Sequence, residues 1–384
     1  MRSISLINSI YKIIFYKTGG HKLFLRANKY TMVTAAEKRK WVAYWLLTGV
    51  FMIVIQVLLG GITRLTGSGL SITEWKPIMG ALPPMGDAEW NHAFDGYKQI
   101  AQYKYLNSHF ELDDFKFIFF WEWFHRLWAR LLGVVFVIGF IYFLIKKYFD
   151  KQMIVPFVIL FILGAVQGLI GWIMVASGLN DTELYVNHIK LAMHFIAALV
   201  LLCYTLWFAL QLLIPTEKRV YSTRLHNFTI IVIIVLGVQL VYGAFMAGLK
   251  AAMAAATWPT INGMWIPDRL MVQSFINHPI NVHFMHRTLA YLLFTLIMLW
   301  YGAATKRGKA QPQSMLGKTK QWPFILIWLQ LLLGIITVLS APKTVFGKFG
   351  QFEMFAEMHQ LVAMFLLMAL VVCLYIVRKA RTAS

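Results

Sequence analysis

About eight stretches of this chain, each roughly 20 residues or more, are almost wholly apolar, and a helix of that length crosses the hydrocarbon of a bilayer. They fall near 40–62, 117–145, 152–176, 188–213, 226–249, 279–304, 322–340 and 353–378. Lipid offers no partner to an open backbone N–H or C=O, so each stretch closes its own hydrogen bonds as a helix. Hydrophobic residues make up 59% of the 384 and charged ones only 14%, which excludes an ordinary soluble domain. The expected fold class is an all-α membrane protein.

The formal net charge of +20 is not a nucleic-acid signal, because the cations sit in alternate loops. One side collects the basic N-terminus, Lys146-Lys147, Lys218-Arg219, Lys306 to Lys309 and Arg378-Lys379. The other holds Asp87, Glu89, Asp95, Glu111, Asp113 and Asp114, then Asp181 and Glu183. The positive-inside rule places both termini inside and the long loops outside. Residues 1–36 contain no Asp or Glu. That composition suits a transit peptide, a basic cytoplasmic arm, or an extension upstream of a start at Met32. A bacterial plasma membrane is the expected location, with the mitochondrial inner membrane as the alternative. The two cysteines, Cys203 and Cys373, read as mid-span core residues, so no outer disulfide is expected.

The spans repeat. The odd ones each carry Gln-x-x-x-Gly: Gln56/Gly60, Gln167/Gly171, Gln239/Gly243 and Gln330/Gly334. At i and i+4 the pair shares one helix face; the glycine admits a close neighbour or a flat ligand, and the glutamine can hydrogen-bond across the bundle. The even spans each carry a histidine: His125, His194, His286 and His359. His125 and His286 are 161 residues apart, His194 and His359 165, Gln167 and Gln330 163. Four spans per repeat return the chain to the same side, so this is a parallel duplication into two pseudo-symmetric four-helix bundles. The divisions are a basic arm (1–39), a first bundle (40–213) with a long outer loop (63–116), an inner linker (214–225), a second bundle (226–378) and a basic tail (379–384).

A histidine in an apolar span is costly unless its nitrogens find partners. All four sit roughly 9–12 Å below the outer ends of their spans. One histidine alone would equally donate to a carbonyl or line a proton path. Two at equal depth in each bundle point to bis-histidine ligation of haem iron, His125 with His194 and His286 with His359. Glu122 shares a helix face with His125, and an intramembrane carboxylate is a functional candidate, although solvation at the interface or pairing with Arg126 would also account for it. The matching position in the second bundle is His283, so the acid is one-sided and the two sites have diverged. Arg126 and Arg287, next to ligand candidates, suit haem propionates or simple snorkelling. The segment Gly60 to Ser71, followed by Trp75, Pro77 and Pro83-Pro84, reads as an ordered cap over the first site. Gly248-Leu249, Thr257-Trp258-Pro259, Gly263 and Pro267 echo it over the second.

Taken together, these residues resemble the haem A synthase family: Gly-Gly-x-Thr-Arg-Leu-Thr-x-Ser-Gly-Leu-Ser followed by Trp-x-Pro, Glu-x-x-His-Arg, Trp-Pro, His-Arg, and single histidines on the fourth and eighth spans. The resemblance covers about residues 40–378. It implies an oxidoreductase that oxidises the C8 methyl of haem O to a formyl group through an alcohol, giving haem A for terminal oxidases. It further implies that His125 and His194 hold the substrate haem, that His286 and His359 ligate a haem b cofactor, and that Glu122 is the catalytic acid. Implied partners are the farnesyltransferase that makes haem O, oxidase assembly factors and an electron acceptor. One bacterial branch has a cysteine pair in the first outer loop; this chain lacks it and looks like the branch shared by mitochondria and many bacteria. Two other readings compete, a dihaem electron-transfer cytochrome and a haem-handling transporter or chaperone. The first does not require a one-sided Glu122; against the second, few charged residues line the spans and no helix is broken at mid-membrane.

Overall fold

The computed structural model of the protein describes residues 34–74, 79–344 and 349–379. Among them, eight helices are long and apolar enough to cross a membrane. In chain order the helices are α1 (Ala35–Leu65), α2 (Asp87–Lys98), α3 (Leu112–Ile145), α4 (Ile154–Ala176), α5 (His188–Leu213), α6 (Thr223–Gly248), α7 (Pro279–Ala310), the short α8 (Leu316–Thr319), α9 (Gln321–Ser340) and α10 (Gln351–Ile376). All but α2 and α8 are membrane spans, so the all-α membrane fold stands. Local chemistry sets several starts. Thr34 and Glu37 form a capping box on α1, the Asn187 side chain accepts from Ile189 and Lys190 at the head of α5, and Pro279 opens α7, where a missing N–H costs nothing.

α1 packs on α3 and α5, and α4 on α5; likewise α6 packs on α7 and α10, and α9 on α10. The sets interlock through α5 against α6 and, in the mirrored contact, α10 against α1. Every one of these contacts has its counterpart when α1, α3, α4 and α5 are exchanged for α6, α7, α9 and α10. The central core draws Val57, Leu202, Leu236, Ile297 and Leu370 from five helices. α10 is central, with 56% of its apolar window buried, and α3 peripheral, with 6%. On the face that holds the linker between the bundles, the two-residue strands β1 (Val220–Tyr221) and β2 (Val377–Arg378) pair in parallel. Arg219 donates to the Tyr375 hydroxyl at 2.6 Å beside them, so the end of α10 is fastened to the linker between the bundles.

Several boundaries move. α1 continues to Leu65, past the expected end at 62, so Gly60 and Gly61 are helical rather than part of a cap. α3 begins at Leu112, which puts His125 deeper from its helix start than the other three histidines. The first outer loop is therefore shorter than 63–116 and contains α2, whose Phe94 and Tyr97 pack against Phe115 of α3. The linker ends where Ser222 caps α6, and α7 runs to Ala310. Residues 1–33, most of the basic arm, lie outside the described residues, as do Trp75, Pro77 and 380–384 of the basic tail.

Candidate functional site

The glutamine–glycine repeat and the histidines prove to be one device. Each histidine ring lies on the glycine of a neighbouring helix. A methyl group added at Gly60, Gly171, Gly243 or Gly334 would lie 3.1, 2.8, 3.4 or 2.9 Å from Cε1 of His125, His194, His286 or His359 respectively. The glutamine one turn away reaches the same ring. Gln56 Nε2 is 3.2 and 3.1 Å from the two nitrogens of His125. Gln167 is 3.2 Å from Nδ1 of His194, Gln239 3.2 Å from Nδ1 of His286, and Gln330 3.2 Å from Nε2 of His359. The sequence showed that these residues repeat but not that they serve the histidines.

The site fits haem on two counts. The four glutamine Oε1 atoms are buried and lack a hydrogen-bond partner; Nε2 of Gln56 and of Gln167 also donates to the carbonyl of its histidine at 3.2 Å, whereas at Gln239 and Gln330, with the amide turned over, the oxygen would accept from a ring N–H. That arrangement fixes the tautomer and leaves the opposite nitrogen for a metal, as the outer partners of metal-bound histidines do. Second, the His286 and His359 ring centres are 6.3 Å apart. Two metal–imidazole bonds of about 2 Å each, end to end, put ring centres about 6 Å apart. His125 and His194 line the same cavity of about 1200 Å³ as the second pair. Gln330→Leu is expected to weaken haem binding in the second bundle by about 10- to 100-fold, measured as haem transfer to a scavenger protein. Unchanged transfer would reduce the amide to packing.

Glu122 is buried at 3% exposure, so it is not merely solvated at the interface. Its Oε2 accepts from the Ser71 hydroxyl at 2.7 Å and the Ile72 N–H at 2.8 Å, and its Oε1 from Arg126 Nη2 at 2.5 Å. A carboxylate offers about four acceptor positions, which leaves one on Oε1. The residues that follow α1 thus close over the site by gripping its acid. In the second bundle the carboxylate partner is replaced by an imidazole: Arg287 Nε donates to His283 Nε2 at 3.0 Å. The rest of the Arg287 guanidinium donates to carbonyls of Ala255, Thr257, Pro259 and Thr260 and pins the α6–α7 loop. Arg126 also donates to the Ile72 carbonyl at 3.3 Å.

A second charged group escaped the sequence reading. Where α1 meets α10, Arg64 faces Glu353 and Glu357, which are 3% and 4% exposed. The Glu357 carboxylate packs on Gly61 so closely that any side chain there would collide with it. Gln360 donates to Glu357 Oε1 at 3.4 Å, and Arg64 Nη1 to the Ala247 carbonyl at 3.1 Å. The mirrored seam between α5 and α6 holds Ala192, Ala244 and Phe245 instead. The available signal was the pair of carboxylates within two turns of His359, to which the reasoning applied to Glu122 extends.

Residues 43–371 match the COX15-CtaA family, described as cytochrome oxidase assembly protein. Among curated relatives, a heme A synthase of Flavobacterium johnsoniae is 36% identical over 348 residues, 88% of this chain and 98% of its own length. One from Bartonella henselae is 38% identical over 82% of this chain and 88% of its own. One from Rhodopseudomonas palustris is 42% identical over 78% and 81%. Matches of this extent cover both bundles and all four histidines. The chain belongs to the haem A synthase family.

Proposed function

We propose that the protein is an oxidoreductase of the plasma membrane that oxidises the C8 methyl of haem O to the formyl group of haem A through the alcohol. The observation that carries this is the one-sided acid: two bundles present the same histidine–glutamine–glycine device, but three residues before its first histidine the first bundle has the buried Glu122, paired with Arg126, where the second has His283. The first bundle, with His125 and His194, holds haem O as substrate. The second, with His286 and His359, holds haem b, which when bound supplies a one-electron redox centre next to the first site. The bacterial relatives and the pattern of loop charge support the plasma membrane with both termini inside.

Whatever supplies the oxygen, protons must leave the C8 carbon or the group that attacks it. Glu122 Oε1 is the acceptor. Ser71, Ile72 and Arg126 orient it, and the loop that carries Ser71 and Ile72 keeps bulk water from the site. Arg126 and Arg287 contribute positive charge for the propionates while holding the loops. Delivery of haem O by the farnesyltransferase that makes it, an electron acceptor, and hand-over of haem A to oxidase assembly factors complete the proposed partners. Incubating the purified protein with haem O and an electron acceptor, and following the C8 substituent by mass, tests the reading. Stoichiometric return of unchanged haem O would refute it.

Lys250 lies outside the spans at the outer edge of the cavity, with its ammonium 3.8 Å from the centre of the Tyr185 ring. Burial, and then the nearby Arg64 cation, pull its pKa down to about 8. Below that value the ammonium is charged and attracts carboxylates, and the attraction is lost as the pH rises through it. Haem affinity should therefore fall about fivefold above pH ~8, the worth of one partly screened ion pair. Lys250→Met should flatten the profile. A wild-type profile that is already flat across this range would remove Lys250 from propionate binding.

A further inference from the structure

The two bundles differ in one seam. α7 and α9 pack together, whereas their counterparts α3 and α4 make no comparable backbone approach. The residues explain the difference. In the second bundle Phe294 of α7 meets Trp328 of α9 edge-on, with ring centres 4.7 Å apart; Ile327, 3% exposed, belongs to the core against which Phe294 packs, and Leu331 lines the cavity beside them. The same positions of the first bundle hold Gly133, Ala165, Gly164 and Gly168. A methyl group built on any of the three glycines would meet nothing within 4 Å. All four residues are exposed, and all line the cavity that contains His125 and His194. A packed interior closes such gaps unless something occupies them. The sister bundle shows that this architecture closes the gap when its sequence permits.

The gap has ends. At the top it opens beneath the His194 ring, which rests on Gly171. From Gly171 down to Gly164 it follows α4 for two turns, about 10 Å. Below that, Phe136 and Phe161 meet at 5.0 Å, Phe140 and Phe161 at 5.5 Å and Phe140 and Phe157 at 5.6 Å, and seal α3 to α4. The opening therefore leads sideways into the hydrocarbon of the bilayer. Haem O differs from haem b in a long isoprenoid substituent, which an apolar, lipid-facing slot suits and a closed bundle excludes.

Building on the haem O reading of the first bundle, we propose that the α3–α4 seam is the binding groove and lateral entry for the farnesyl chain. Gly133, Gly164, Ala165 and Gly168 are then the residues that make the first bundle select a farnesylated haem. Their bulky counterparts restrict the second bundle to a haem without the chain.

The test imports the sister residues as Gly133→Phe, Ala165→Trp and Gly168→Leu in the full-length protein and measures uptake of haem O and of unfarnesylated haem in parallel. Haem O uptake should fall about tenfold or more, the cost of overpacking a filled groove. Unfarnesylated haem at the first site and the haem of the second bundle should be retained. Haem O uptake equal to wild type, or equal loss of both haems from the first site, would overturn the proposal. Wild-type protein that takes up no haem O would overturn the parent reading as well.

If the variant loses the second-bundle haem too and is therefore misfolded, Gly168→Cys in a Cys203→Ala, Cys373→Ala background decides. Haem O should protect the new thiol from a lipid-soluble maleimide while unfarnesylated haem should not. Equal protection by both, or by neither, contradicts the groove.

Discussion

Replacing Glu122 with glutamine is expected to lower the rate of haem O oxidation by about 100-fold or more, the usual worth of a positioned general base, while both bundles still take up haem. The amide is nearly isosteric and keeps an oxygen for the Ser71 hydroxyl and the Ile72 N–H. It turns an N–H2 toward Arg126 in place of the oxygen that Arg126 now contacts, and it cannot take up a proton. The loop and the end of α1 should stay seated by their other contacts with α3: Arg126 Nη2 donates to the Ile72 carbonyl and Thr63 Oγ1 to the Trp121 carbonyl, both at 3.3 Å. Ser71→Ala is the control. It removes one donor and leaves the acid in place, so a loss of only about 1 kcal/mol is expected, or roughly fivefold in rate. The readout is single-turnover formation of the C8 alcohol and aldehyde beside total bound haem. Wild-type rates in Glu122→Gln would rule the acid out as proton acceptor. If Glu122→Gln lost rate and haem together, its role would be to hold the loop.

Gly171→Val and Gly334→Val should each empty one site and spare the other. The first methyl of either side chain would lie 2.8 Å from His194 Cε1 or 2.9 Å from His359 Cε1, and the ring must move for the side chain to fit. A displaced ring breaks its contact with Gln167 or Gln330 and leaves the place from which it would hold a haem iron. Haem uptake at the affected site should fall by about 100-fold, as when a metal's outer support is lost. Gly171→Val should abolish turnover with the second haem in place. Gly334→Val should remove the second haem and leave haem O binding intact. Haem analysis of the two proteins separates the sites. If one substitution emptied both bundles, the two sites would form one cooperative unit and the assignment of separate roles would fail.

Spans, duplication and histidines were legible because hydrophobic length, spacing and residue type are properties of one helix at a time. What each face meets was not. Gln-x-x-x-Gly identifies two residues on one face, but a single helix does not reveal that the opposing surface is an imidazole from its partner. The same gap explains the misplaced end of α1. Gly60 and Gly61 read as a helix terminus because glycine inside a helix costs about 1 kcal/mol. In the fold they carry His125 and the Glu357 carboxylate, and those contacts need the missing side chains. Glu353 and Glu357 were visible as carboxylates in the last span. Their burial became clear only once α1 was set against α10, because Arg64 and Gly61 arrive from nearly 300 residues away in the chain. The open α3–α4 seam was hidden for a related reason, since a glycine reads the same whether it admits a helix, a ring or a lipid-like chain.

The most direct measurement is extraction and mass analysis of the haems that purify with the protein when it is co-expressed with a source of haem O. The account expects two species, haem b together with haem A or its C8-alcohol precursor, with the farnesylated haem absent after His125→Ala and haem b absent after His286→Ala. Haem b alone, despite available haem O, would contradict it. The duplicated bundles would then be a dihaem electron carrier, and Glu122 would no longer have a methyl group to act on.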